Sequence, residues 1–142
     1  VVDGKMVLND LGKIASDEWL KTKELRANVD LDYLVIMPNH LHGIVILNGI
    51  GVETRRGESL QKQNETKFGK PIKNSLSVII NQFKGAVTRK AKEKEITFSW
   101  QARFYDRIIR NEKELYNIRK YIEQNPLKWE FEKNNPENIC EF

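Results

Sequence analysis

At 142 residues the chain has room for one domain with a real core and is too short for two. Its 24 Lys and Arg against 20 Asp and Glu leave a net charge of +4, and its single cysteine, Cys140, excludes an intramolecular disulfide and points to a reducing, cytoplasmic setting. No apolar run approaches the roughly 20 residues that cross a bilayer, and no signal-like stretch is evident, so no membrane association is expected.

In chain order, "VVDGKMVL" alternates around Asp3-Gly4, a pair suited to a tight turn. Leu11, Ile14, Ala15 and Trp19 follow at helical spacing behind Asn9 or Asp10 as cap. "LDYLVIMPNHLHGIVIL" reads as two antiparallel strands, Leu31–Met37 and His40–Leu47, joined at Pro38-Asn39, because proline suits the second position of a type I turn and Asn is tolerated at the third. Residues 49–74 are polar, interrupted by Gly and Pro, and read as a mobile loop. Ser75 opens a second helix with Leu76, Ile79, Ile80, Phe83 and Val87 on one face. "ITFSWQARFYDRIIR" reads as a further strand region. A last helix begins at Asn111 with Glu114 three residues on, buries Leu115, Ile118 and Ile122, and should stop at Pro126. These elements predict a single α+β domain over residues 1–142: one antiparallel sheet with helices on one face.

Charge is unevenly spread. Between Arg55 and Lys94 lie eleven Lys or Arg and three Glu, whereas from Glu130 onward there are four Glu and one Lys. This asymmetry suggests a polyanionic partner. Lys84, Arg89, Lys90 and Lys92 on the second helix, with Arg55 and Arg56 in the loop, could follow a phosphate backbone. Trp100, Phe104, Tyr105 and Trp129 could offer faces for bases. Solvated helix charges and core aromatics explain the same residues equally well.

Both histidines of the chain, His40 and His42, stand two apart on a strand. The strand's period of two aims them at one side, with Leu41 on the other. Two neutral imidazoles so placed can share a divalent cation, although two ligands are too few for a structural zinc site. The spacing alone also fits two half-exposed histidines without a metal. On the last helix Tyr121 and Asn125 share a face one turn apart, with Gln124 close by. A phenol, with a pKa near 10, is a covalent nucleophile toward phosphorus and a better leaving group than an alkoxide. The plainer reading is a Tyr at the core margin and an Asn capping the helix end.

Taken together, "MPNHLHG", "SWQARFYDRIIRNEKEL" and "RKYIEQNPLKW" resemble the single-tyrosine HUH transposases, most closely the REP-associated tyrosine transposases of bacteria. His40, Leu41 and His42 match that family's His-hydrophobe-His strand, Trp100 to Asp106 its Trp-Gln-x-x-Phe-Tyr-Asp motif, and Tyr121 to Pro126 its Tyr-Ile-x-x-Asn-Pro helix. Tyr121 follows the histidine pair, the order of transposases and replication initiators, whereas relaxases usually place the tyrosine first. The resemblance implies a ferredoxin-like sandwich with the nucleophile on the last helix. It also implies one Mg²⁺ or Mn²⁺ held by His40, His42 and Asn125, with Gln124 close enough to replace Asn125. Tyr121 would nick and rejoin single-stranded DNA at palindromic hairpins through a 5′-phosphotyrosine. Gln101 and Arg103, inside the second motif, join the basic residues as DNA contacts, and a homodimer or a monomer would each fit. Imidazole ligands suit Mn²⁺ better than Mg²⁺, so Mn²⁺ should support activity at least as well. Members of that family carry a further strand ahead of the residues at which this chain begins, which implies an N-terminally truncated sheet. A second reading is therefore an inactive remnant that binds hairpin or single-stranded DNA. A third is a small metal-binding domain unrelated to DNA.

Overall fold

The computed structural model describes residues 1–48 and 75–134. The predicted loop at 49–74, with Arg55 and Arg56, lies outside the described residues, as does Cys140. The elements are α1 (Asp10–Glu24), β1 (Val29–Ile36), β2 (Leu41–Leu47), α2 (Leu76–Glu93) and α3 (Glu112–Asn134).

Local chemistry explains where each begins. Asn9 caps α1, its side-chain oxygen accepting from the Gly12 amide at 2.9 Å, while Asp10 in the first turn and Lys21 and Lys23 in the last complement the helix dipole. Ser75 caps α2 by accepting from the Val78 amide at 3.4 Å. Asn111 accepts from the Glu114 amide at 2.8 Å to open α3, and the Glu114 carboxylate reaches back to the Arg110 amide at 2.9 Å.

β1 and β2 form a two-stranded antiparallel hairpin, closed at Pro38-Asn39 by the Met37 amide donating to the His40 carbonyl at 2.7 Å. The ladder starts two residues earlier than the sequence suggests, at Val29↔Leu47, and ends at Ile36↔Leu41. Between Leu31↔Val45 and Leu34↔Gly43, β1 advances three residues while β2 advances two. This bulge adds one residue to β1 and reverses the alternation of its side chains. Leu31, Leu34 and Ile36 therefore all reach one face despite their mixed parity, together with Leu41 and Val45 of β2. The other face carries Val35, Met37 and Ile44.

Each face has its own core. On the first, α1 and α2 bring Ile14, Ala15, Trp19, Phe83 and Val87, with Trp19 and Phe83 in edge-to-face contact at 5.3 Å. Ile79, Phe83, Val87 and Ala91, spaced by four, are the buried stripe of α2. Fully burying a side chain such as Ile79 or Val87 contributes about 1.5–3 kcal/mol. On the second face, Ile122 of α3 meets Val35, Met37 and Ile44, with Val1, Met6, Ile109, Leu115, Ile118 and Trp129 around them. Helices thus cover both faces of the hairpin, which corrects the expectation of helices on one face. Val35 and Ile44 on this face are buried, at 9% and 6% exposed, while Leu31, Leu34, Ile36, Leu41 and Val45 pack on the other.

Two further expectations are corrected. The region 96–110 forms no strand among the described residues. Its alternation serves a helix instead of a ladder: Ile96, Phe98 and Trp100 pack on the first core, Trp100 Nε1 donates to Thr88 Oγ1 at 3.0 Å, and Lys84 Nζ donates to the Gln101 carbonyl at 2.9 Å. Nor does Pro126 end α3, which runs eight residues past it to Asn134. An interior proline removes one helical hydrogen bond and costs about 3 kcal/mol. Packing beyond it offsets that cost, because Trp129 joins the second core and Glu130 accepts from the Gly4 amide. Gly4 sits at φ +68°, and a Cβ there would press on Leu127 at 3.0 Å, so the N-terminal turn needs a glycine to lie against α3.

Candidate metal and nucleophile site

The hairpin's alternation sends His40 and His42 to the α3 face. Their rings meet edge-on, with centroids 4.8 Å apart. His42 also lies edge-on to Tyr121 at 5.5 Å, and His40 stands 6.0 Å from Trp129. Tyr121, Asn125 and Trp129 are spaced by four and form one stripe on α3. Tyr121 lies against one imidazole and Trp129 against the other, and Asn125 is the residue between them on this stripe of α3. It is 8% exposed, and its Nδ2 has no hydrogen-bond partner. Gln124, a third of a turn away, is exposed. Tyr121 is 51% exposed, so its ring packs on one side and meets solvent on the other.

Burial pushes the pKa of His40 below the usual imidazole value. For His42 burial is again the larger cause, and the neighbouring His40 adds to it. Both rings are therefore neutral at neutral pH, the form in which an imidazole can ligate a metal or accept a proton. Among the described residues no three His, Cys, Asp or Glu side chains converge to hold a metal ion. A cation at this site would rest on the two imidazoles together with the amide.

The placement of α3 depends on residues with no local signature in the sequence. Arg119 donates from Nε and Nη2 to Asp32 Oδ2, at 2.8 and 2.6 Å, and lies 5.8 Å over the Tyr33 ring. Asp32 and Tyr33 are the residues the β1 bulge turns toward α3. The pair is 87 positions apart, so only the folded chain reveals it. On the opposite face a Cβ at residue 43 would fall 2.5 Å from the Trp19 ring, so the glycine after His42 is there to admit the indole.

The basic residues are distributed differently from the site. α2 lies across the hairpin from α3. On α2, Lys84 is engaged with Gln101 and stacks over Trp100 at 5.5 Å. Lys90 pairs with Glu18, whose pKa burial alone would raise but which Lys90 and Lys21 bring below the usual value. Arg89 and Lys92 are exposed, as are Gln101 and Arg103. Those on α2 lie across the hairpin from the face that carries the histidines. An open cleft of about 750 Å³ lies elsewhere again, where Arg107, Arg110 and Lys113 surround the first turn of α3.

Fold and site together define a small α+β protein in which a His-x-His strand faces a Tyr-x-x-x-Asn helix. Over 134 residues the chain is 36% identical to a protein of Haemophilus influenzae described as uncharacterized, a match that spans 92% of this chain and 72% of that protein. The chain belongs to the same family as that protein. No family model matches the chain, and no solved structure matches it. Among the described residues no helix is long and apolar enough to cross a membrane.

Proposed function

We propose that this chain is a metal-dependent transposase of the single-tyrosine HUH type, which nicks and rejoins single-stranded DNA at palindromic hairpins in the cytoplasm. The observation that carries the reading is the meeting of His40, His42 and Tyr121, from two motifs some 80 residues apart, on one face of the hairpin, with the buried Asn125 one turn along the same helix from Tyr121. A ferredoxin-like sandwich is the finer fold that goes with this reading.

The residues fit a divalent cation. Two imidazoles are held neutral, and a buried carboxamide has one end unpaired, which a half-turn of the amide exchanges for its oxygen. Bound there, Mg²⁺ or Mn²⁺ would supply Lewis-acid polarisation of a phosphate. Tyr121 does the covalent work. Its phenol oxygen forms a bond to phosphorus as the bond from phosphorus to the 3′ oxygen breaks. The phenolic proton leaves on the solvent side of the half-exposed ring, and the departing 3′ oxygen takes up a proton. The products are a 5′-phosphotyrosine and a free 3′-OH, and attack by a DNA hydroxyl reverses the step. Arg119, fixed on Asp32, holds the helix so that Tyr121 stays over His42.

A second reading, a protein that binds hairpin DNA without cutting it, is favoured by the placement of Arg89 and Lys92 across the hairpin from the histidines. One assay separates the two. End-labelled hairpin DNA with single-stranded flanks is incubated with the protein and Mn²⁺, then run under denaturing conditions. A covalent band that requires Mn²⁺, His40 and Tyr121 is expected; salt-sensitive binding with no such band would establish the binder instead.

A further inference from the structure

We infer that Asn39 decides which nitrogen of His40 carries the proton, and so presents the bare Nε2 to the site. The inference rests on the metal-site reading above for its purpose, but not for its geometry. Asn39 Oδ1 lies 2.5 Å from His40 Nδ1. A carboxamide oxygen only accepts, so with Oδ1 facing the ring Nδ1 is the donor; the opposite amide orientation would present Nδ2 and make Nδ1 the acceptor, and the labelling below distinguishes the two. A neutral imidazole carries one such proton, and placing it on Nδ1 leaves the Nε2 lone pair free.

The turn makes this arrangement durable. Pro38 fixes its own φ, and the Met37 amide closes the turn on the His40 carbonyl at 2.7 Å, so the backbone that carries Asn39 and His40 is fixed by the turn. Histidines that ligate metals regularly donate their second N–H to such an outer partner, which fixes ring orientation and raises ligand strength. Asn39 is thus a positioning residue. It acts through His40.

The chain has only two histidines, so ¹⁵N-histidine labelling yields four ring nitrogens, and a His42→Gln variant assigns those of His40. In the metal-free protein at pH 7.5 the His40 ring should be protonated at Nδ1. Asn39→Ala should shift it toward the Nε2–H form, whereas Asn39→Asp, whose carboxylate also only accepts, should keep it. Mn²⁺ titration followed by electron paramagnetic resonance should show affinity about 10–100-fold weaker in Asn39→Ala and not weakened in Asn39→Asp. An Nε2–H ring in the unaltered protein, or a tautomer indifferent to Asn39→Ala, overturns the inference. If the unaltered protein binds no Mn²⁺ while its tautomer follows residue 39 as described, the metal reading fails and the role of Asn39 stands.

Discussion

On one face of β2, Leu41, Gly43 and Val45 press against α1, with the Trp19 indole lying where a Cβ of residue 43 would be. On the other, His40 and His42 stand beneath Tyr121 and Trp129 of α3. Residues 40–47 serve both sides: the first is apolar throughout, whereas the second joins a half-open polar end at the histidines to an apolar core at Ile44. A strand's period of two lets stability and chemistry be written in alternate letters. Substitutions of the apolar residues on the first face should therefore act on folding, and that of Tyr121 on the second chiefly on the proposed chemistry.

Trp19→Ala should break the first side most severely, lowering the unfolding free energy by about 3–5 kcal/mol in urea titrations. Gly43→Ala should cost about 1–3 kcal/mol by overpacking the indole, with part of the loss recovered when Trp19→Phe is combined with it, since the two are in contact. Asp32→Asn keeps the shape but removes the charge that Arg119 grips. With Arg119 42% exposed and Asp32 more covered, the loss should be about 1 kcal/mol, and it should diminish at high salt. The histidines should add a pH dependence of defined sign. Their folded pKa values lie below the ordinary value of about 6.5, so the unfolded chain binds more protons. Their contribution is fully present above that value and is lost as the pH falls through the depressed folded values. A His40→Gln, His42→Gln variant should lack this part of the decline in denaturation midpoints between pH 7 and 5. Tyr121→Phe should be the smallest change to stability, within about 0.5 kcal/mol, while removing covalent DNA attachment altogether and leaving DNA binding in place. A destabilised Tyr121→Phe, or an inactive but fully stable Trp19→Ala, would erase the division between the faces.

What could be read from the sequence was local. Asn9, Ser75 and Asn111 announce their helices because a cap is a contact between near neighbours. Pro38-Asn39 marks the hairpin for the same reason, and the His-x-His spacing on a strand put both rings on one side. The helical spacing of Tyr121 and Asn125 likewise carried over directly. The misreadings all concern partners distant in the chain. An alternating stretch such as 96–110 specifies a pleated surface but not whether a strand or a helix will cover it, and here α2 does. Pro126 is a helix terminator on local grounds, overridden by Trp129 and by Glu130 on Gly4, 126 residues away. The burial of both hairpin faces is hidden because the bulge in β1 reverses its alternation midway.

The ion pair between Asp32 and Arg119 also bears on the order in which the molecule assembles. The hairpin needs a two-residue turn and forms on the microsecond scale of such elements, bringing the two imidazoles together early. Bringing Arg119 to Asp32 closes a span of 87 positions, an entropic cost met only once α3 can bury Ile122 and Trp129. The imidazole pair is thus a product of local folding and the tyrosine a late arrival. The proposed centre comes into being only when α3 docks, so a nascent or partly unfolded chain would carry the paired rings without Tyr121 beside them.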